Sequence, residues 1–240
     1  MVNKMFELKE LKIPKDEVLR YLGYKKKHTL DDNLEQLINE TIEESYKLLT
    51  PKFVYAMYNN DITDLGIVLC KTKLVLTGND IYEHLKHAKK SVIMAVTVGR
   101  QIETKIKYYE KINLTKALIL DACATSAVEE VCDRLDDYIK AKANEENLST
   151  TFRFSPGYGD LPLDIQRDFI NTLNAEKTIG LTVSEHNLLM PRKSVTAIIG
   201  LIPKKYESKK HGCEVCKNYQ NCSFRKDGGC SNGSQRVHKE

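Results

Sequence analysis

The sequence predicts an α+β fold, and three observations carry that prediction. Amphipathic helical stripes occupy much of the chain. Two runs, Ser91–Val98 (SVIMAVTV) and Ser194–Ile202 (SVTAIIGLI), are continuously apolar and rich in β-branched residues, as buried strands are. The strand candidates do not alternate strictly with helices, which argues against a βαβ winding. With 240 residues, of which 41% are apolar and 29% charged, the chain can bury a substantial core.

Pro14 to Leu22 reads as a short helix stopped by Gly23. Asp31 or Asp32 caps a longer one, with Leu34, Leu37, Ile38, Ile42, Tyr46 and Leu49 as its apolar stripe and Pro51 as its end. Gly66 to Thr77 reads as one or two strands, and Asn79 as the cap of a helix running to Ala88. His84 and His87 are expected on the exposed side of that helix. Gly99 ends the strand at 91–98, and Arg100 to Lys111 resumes a helical period.

A long helix starts at Asn113 or Thr115 and runs to about Lys142. Leu118, Ala122, Glu129 and Cys132 are expected on its deep face. Its segment Ala122–Ala127 (ACATSA) is built of small side chains, which let another helix or a ligand approach closely. Glu129 follows Ala122 by seven residues, two turns, and so shares its face. Farther on, Asp164 to Leu173 reads as a short helix, Thr178 to Ser184 as a strand and Ser194 to Ile202 as another.

The organising stretch is Thr151–Gln166, TFRFSPGYGDLPLDIQ. Thr151, Phe152 and Phe154 suit a strand. Ser155 to Asp160 then forms a tight loop, and helical periodicity returns after Pro162. Arg153, Gly157 and Tyr158 form an R-x-x-x-G-Y pattern. Arginine offers a fixed fork of donors to a carboxylate, glycine allows close backbone approach, and tyrosine presents an aromatic face with a hydroxyl. Together they suit an amino-acid carboxylate joined to a flat or cationic group.

The net charge of +4 is unevenly spread. From Pro203 onward nine Lys or Arg face four Asp or Glu, giving +5, and the remainder carries 28 against 29, giving −1. This excludes a domain-wide nucleic-acid surface. No apolar run reaches membrane-span length, and the charged N-terminus lacks a secretory apolar segment, so a cytoplasmic protein is expected. Cys70, Cys123 and Cys132 read as buried thiols. Cys213, Cys216, Cys222 and Cys230, spaced C-x2-C-x5-C-x7-C, suit zinc or an iron–sulfur cluster, with His211 or His238 able to replace a ligand. The expected division is a domain over 1–206 and a basic Cys-rich tail over 207–240. No phosphate-binding loop, complete dinucleotide fingerprint, His-Glu-x-x-His or nucleophile elbow occurs.

RFSPGYGDLPLDIQ followed by TIGLTVSEHNLLMPRKSVTAIIGL resembles the AdoMet-binding activation domain of cobalamin-dependent methionine synthase. VTVGRQIE, LILDACATSAVEEVCDRL and LRYLGY are similar to further stretches of that group, so the resemblance spans roughly 10–206. It implies a central, mostly antiparallel sheet flanked by helices, and S-adenosyl-L-methionine (AdoMet) binding. It further implies that Arg153 pairs the AdoMet carboxylate and that Ser155, Gly157 and Tyr158 line the ligand. Glu129 would contact the amino-acid end or a ribose hydroxyl, and Tyr206 would match a later family tyrosine. No cobalamin-binding motif is present. The resemblance therefore implies a reactivation subunit of a methyltransferase whose cobalamin (vitamin B12) is held by a partner, a cobalamin-binding methionine synthase subunit. The partner's inactive cob(II)alamin would be restored by one electron, from a donor such as a flavodoxin or ferredoxin, and the AdoMet methyl group. Two alternatives are an iron–sulfur electron-transfer activator working through the Cys tail, and a non-enzymatic AdoMet-binding docking module.

Overall fold

The computed structural model describes residues 11–24 and 30–206. The tail with Cys213, Cys216, Cys222 and Cys230 lies outside these residues, as do His211 and His238.

In chain order the helices are α1 (Lys15–Tyr21), α2 (Asp32–Leu48), α3 (Asn79–Leu85), α4 (Arg100–Ile112), α5 (Leu114–Glu145), α6 (Gln166–Thr172) and α7 (Ala175–Ile179). The strands are β1 (Lys52–Thr63), β2 (Gly66–Leu69), β3 (Val75–Leu76), β4 (Lys90–Thr97), β5 (Leu148–Thr150), β6 (Thr182–Val183), β7 (Leu189–Met190) and β8 (Ser194–Pro203). A six-stranded sheet has the order β3-β2-β1-β4-β8-β5, and every adjacent pair in it is antiparallel. The α+β expectation with a flanked antiparallel sheet therefore holds.

The two apolar runs become β4 and β8, which pair along their length from Lys90↔Leu201 to Thr97↔Ser194. Their continuous apolar character follows from helices on both faces. Val92, Met94 and Val96 point with Ala197, Ile199 and Leu201 into a core shared with α1, α2, α4 and α5. Ile93, Ala95 and Ile198 point the other way, into a second core with α3, α6 and α7. A strand buried on one face only would alternate apolar with polar residues; one buried on both cannot.

Helix starts follow the capping rules in two cases. The Asp31 side chain accepts from Leu34 N at 2.9 Å, and that of Asn113 from Lys116 N at 3.0 Å. The small-residue segment of α5 is close-packed: Ala122, Cys123, Ala124, Ser126 and Ala127 are all buried. Burial pushes the Cys123 thiol up to about 12, so it behaves as a small apolar group.

Several expectations are corrected. Leu118 is 56% exposed, not deep. It sits about 200° around the helix from the buried Leu120, in the first turns of α5. The expected strand at 178–184 is split into α7, a left-handed Gly180 and the short β6. The long β1 has no counterpart among the expected strands. Asn79 does not cap α3. Gly78 occupies the cap position with φ +130°, and the capping carboxylate comes from Asp160. His84 turns inward rather than to solvent, while His87 is exposed. Cys123 and Cys132 are buried, but Cys70 is only partly so.

Candidate functional site

After β5 the chain stays against β8. Thr151 N donates to Gly200 O at 2.9 Å, and Phe154 exchanges both backbone hydrogen bonds with Ile198. Extended backbone sends successive side chains to opposite faces. Phe154 accordingly enters the core beneath α3 and α6, with Phe152 packed against it. Arg153 points the other way, toward α5.

There the Arg153 side chain is 7% exposed. Its Nη2 lies 3.2 Å from Glu129 Oε2 and 3.0 Å from Asp133 Oδ1. Glu129 and Asp133 are four residues apart on α5 and therefore on one face. Asp136, one turn on, is 1% exposed. Arg153 Nη1 is buried with no hydrogen-bond partner. Burial disfavours the guanidinium's charge, but Cys132 and the carboxylates of Asp133, Asp136 and Glu129 outweigh it and hold the Arg153 pKa above its ordinary value. Burial pushes the Cys132 thiol far up, so that thiol is neutral. At neutral pH the carboxylates alone balance the cation. The last turn of α1 borders this cluster: burial first, then the Glu129 charge, raises the Tyr21 phenol. The Arg20 guanidinium lies 4.1 Å from the centre of the Tyr21 ring.

The loop after Phe154 is a tight turn. Tyr158 N donates to Ser155 O at 3.0 Å and Gly157 N to Leu161 O at 2.9 Å. Gly157 has φ +84°, which a side chain would strain. The Tyr158 ring is 48% exposed and meets Phe154 edge-on at 5.3 Å. Arg153 and Glu129 are thus brought together, whereas the Tyr158 ring packs on Phe154, which faces away from α5. Tyr206 sits in a single 3-10 turn after β8, stacked on His87 at 3.8 Å, and takes no part in the Arg153 ion pairs.

Helix α3 touches this segment twice. His84 Nε2 lies 2.9 Å from Phe152 O and 2.8 Å from Thr151 Oγ1. Burial drives the His84 pKa down to about 4, against a raising effect of the Phe152 carbonyl, so the ring is neutral at pH 7. At the other end of α3, the Asp160 carboxylate accepts from Asn79 N at 2.6 Å and Asp80 N at 3.0 Å.

Two clefts lie elsewhere. One of about 310 Å³ sits at the start of α4 beside Gly180 and Met190, and one of about 690 Å³ runs along α2 near Ile13 and Tyr46. Neither is lined by Arg153 or Tyr158. Among the described residues, no group of His, Cys, Asp or Glu could hold a metal ion, and no helix is long and apolar enough to cross a membrane.

Sequence reasoning missed Asp133, Asp136, His84 and Asp160. The i, i+4 spacing of Glu129 and Asp133 was available as a signal. The contacts of His84 and Asp160 bridge 68 and 81 residues, and no local pattern announces them.

No family profile and no curated protein matches this chain. Among solved structures, the MetH reactivation domain bound to AdoHcy matches with a TM-score of 0.58 and 18% sequence identity. The match covers 75% of this chain and 66% of that one, so this chain spans just under two thirds of that length. The shared architecture leads to one conclusion: this chain has the fold of the methionine synthase reactivation domain.

Proposed function

We propose that this protein binds AdoMet through the R-x-x-x-G-Y segment and serves as a reactivation subunit for a separate cobalamin-dependent methionine synthase. One observation carries the reading. Arg153 is buried beside carboxylates, yet its Nη1 has no hydrogen-bond partner. A buried, unpaired guanidinium nitrogen is costly unless something completes it. A ligand carboxylate is the natural complement. The acidic face of α5 complements the ammonium that accompanies such a carboxylate in an amino acid. The solved neighbour's bound AdoHcy, which carries the same amino-acid end as AdoMet, supports the assignment.

The residues present fit AdoMet in this sense. Arg153 would hold its carboxylate, Glu129 its amino-acid end, and Ser155, Gly157 and Tyr158 would line it. AdoMet supplies the methyl group. The chain contributes position: a buried cation for the carboxylate, and a loop with a backbone bare enough for close approach. No acid, base or nucleophile is required of it. The cobalamin would arrive on the partner synthase subunit, and the electron from a donor such as a flavodoxin or ferredoxin. Cys213, Cys216, Cys222 and Cys230 are proposed to hold zinc or an iron–sulfur cluster in the tail.

Titration calorimetry with AdoMet tests the first part, and remethylation of a cob(II)alamin-loaded synthase in the presence of a reductant tests the second. Wild-type protein is expected to bind and to restore activity, and Arg153→Ala to do neither. Absence of AdoMet binding by the wild type would overturn the proposal.

A further inference from the structure

We infer that helix α3 is a brace holding the R-x-x-x-G-Y segment at both ends, with His84 and Asp160 as positioning residues for Arg153 and Tyr158. The inference rests on the AdoMet reading for its functional consequence, but its geometry is independent of any ligand.

The two ends of α3 grip opposite ends of one segment. In its last turn, His84 Nε2 meets Phe152 O, the carbonyl of the peptide bond that leads into Arg153, at 2.9 Å. It also meets Thr151 Oγ1 at 2.8 Å, and that hydroxyl accepts from Gly200 N of β8 at 2.8 Å. A carbonyl only accepts, so neutral His84 donates from Nε2. The imidazole thereby ties the backbone beneath Arg153 to the central sheet. At the first turn, Asn79 N and Asp80 N donate to the Asp160 carboxylate, two residues after Tyr158.

The fit at this second contact is close on both sides. A Cβ on Gly78 would come within 2.5 Å of Asp160 Oδ1, and one on Gly159 within 2.5 Å of Asp80 Oδ2. Each glycine makes room for the aspartate of the opposing strand of chain. Ile81 and Leu85, both 0% exposed, anchor α3 in the core between its two contacts. A seven-residue helix is a stiff spacer of about 10 Å. It therefore sets how far the strand end and the loop end of the segment stand apart. Binding groups on a loop need such outside support, because a small displacement of a charged partner costs much of its interaction.

The test uses the full chain and two readouts on the same proteins: calorimetric AdoMet affinity and amide hydrogen exchange. The variants are His84→Leu, His84→Gln, Asp160→Ala and Asp160→Asn. His84→Leu and Asp160→Ala should each weaken AdoMet about tenfold. They should also speed exchange at the Phe154, Gly157, Tyr158 and Leu161 amides about tenfold, with the β4 amides unchanged. Gln keeps an N–H donor and Asn an acceptor, so both conservative variants should recover toward wild type. Unchanged loop exchange in His84→Leu and Asp160→Ala overturns the brace. So does a parallel rise at β4, which would mean general destabilisation. Wild-type protein that does not bind AdoMet would remove the proposed function, and the exchange pattern alone would then decide the brace.

Discussion

Arg153 engages both Glu129 and Asp133 of α5 through a single nitrogen, Nη2, at 3.2 and 3.0 Å, leaving Nη1 buried without a hydrogen-bond partner. Half of the guanidinium fork is committed to the protein and half is spare. Under the proposed function, the spare half serves a ligand carboxylate.

Replacing Arg153 has two separable consequences. Arg153→Ala leaves Glu129 and Asp133 without their cation; both carboxylates are part-exposed, so stability should fall by about 1–3 kcal/mol. Arg153→Lys keeps the charge but not the fork, so it should remain folded while AdoMet affinity drops at least about tenfold, as for a lost charge-assisted hydrogen bond. Denaturant unfolding and calorimetry measure the two effects. Full AdoMet affinity in the lysine variant would show that the fork is not the carboxylate anchor.

Stability should depend on pH through His84. Its folded pKa is lowered by burial from 6.5 to about 4. Between those values the unfolded chain binds the extra proton and the folded chain does not. The His84 contribution is therefore complete above pH 6.5 and erodes as pH falls toward 4. The loss approaches about 3 kcal/mol at the lower limit, because each pH unit between the unfolded and folded pKa removes about 1.4 kcal/mol. Urea unfolding of wild type and His84→Gln at about pH 7 and about pH 4.5, on either side of the unfolded pKa, checks it. The wild type should lose more stability than the variant, and equal losses would contradict the assignment.

The contact between Gly78 and Asp160 makes a sharp comparison with Gly180. Both glycines have positive φ, +130° and +71°, but a Cβ on Gly180 meets nothing within 4 Å. Gly180→Ala should cost only about 1 kcal/mol of left-handed strain. Gly78→Ala adds a clash with the capping carboxylate and should cost more than about 2 kcal/mol. Equal unfolding midpoints for the two variants would show that Asp160 does not sit against Gly78.

The corrected register of α5 has its own test. Leu120 is 0% exposed and Leu118 56%. Leu120→Ala should destabilise by about 2–5 kcal/mol, and Leu118→Ala by less than about 0.5 kcal/mol. Thermal or denaturant unfolding of both variants reads the difference, and a large effect at Leu118 would restore it to the core.

What the sequence determined by itself was whatever rests on local pattern. β4 and β8 were legible because strands covered on both faces read as unbroken apolar runs. The long α5 was legible from its period and a start signal at Asn113 or Thr115, and the structure selected Asn113 as the cap. Arg153 was singled out by its pattern and Glu129 through the family resemblance, and the tertiary structure joined them. β1 was missed because its outer half, from Tyr58 to Thr63, is held by hydrogen bonds to β2 and β4 rather than by a buried stripe, and hydrogen-bond partners leave no periodic trace. α7 spans only five residues, less than two turns, too short for a helical period to emerge. The tertiary structure alone decided the cap of α3, the inward turn of His84, the carboxylates around Arg153 and the spare nitrogen Nη1. Each depends on which distant segments the sheet and its covering helices bring within hydrogen-bonding distance, and such distances follow from packing, not from spacing along the chain.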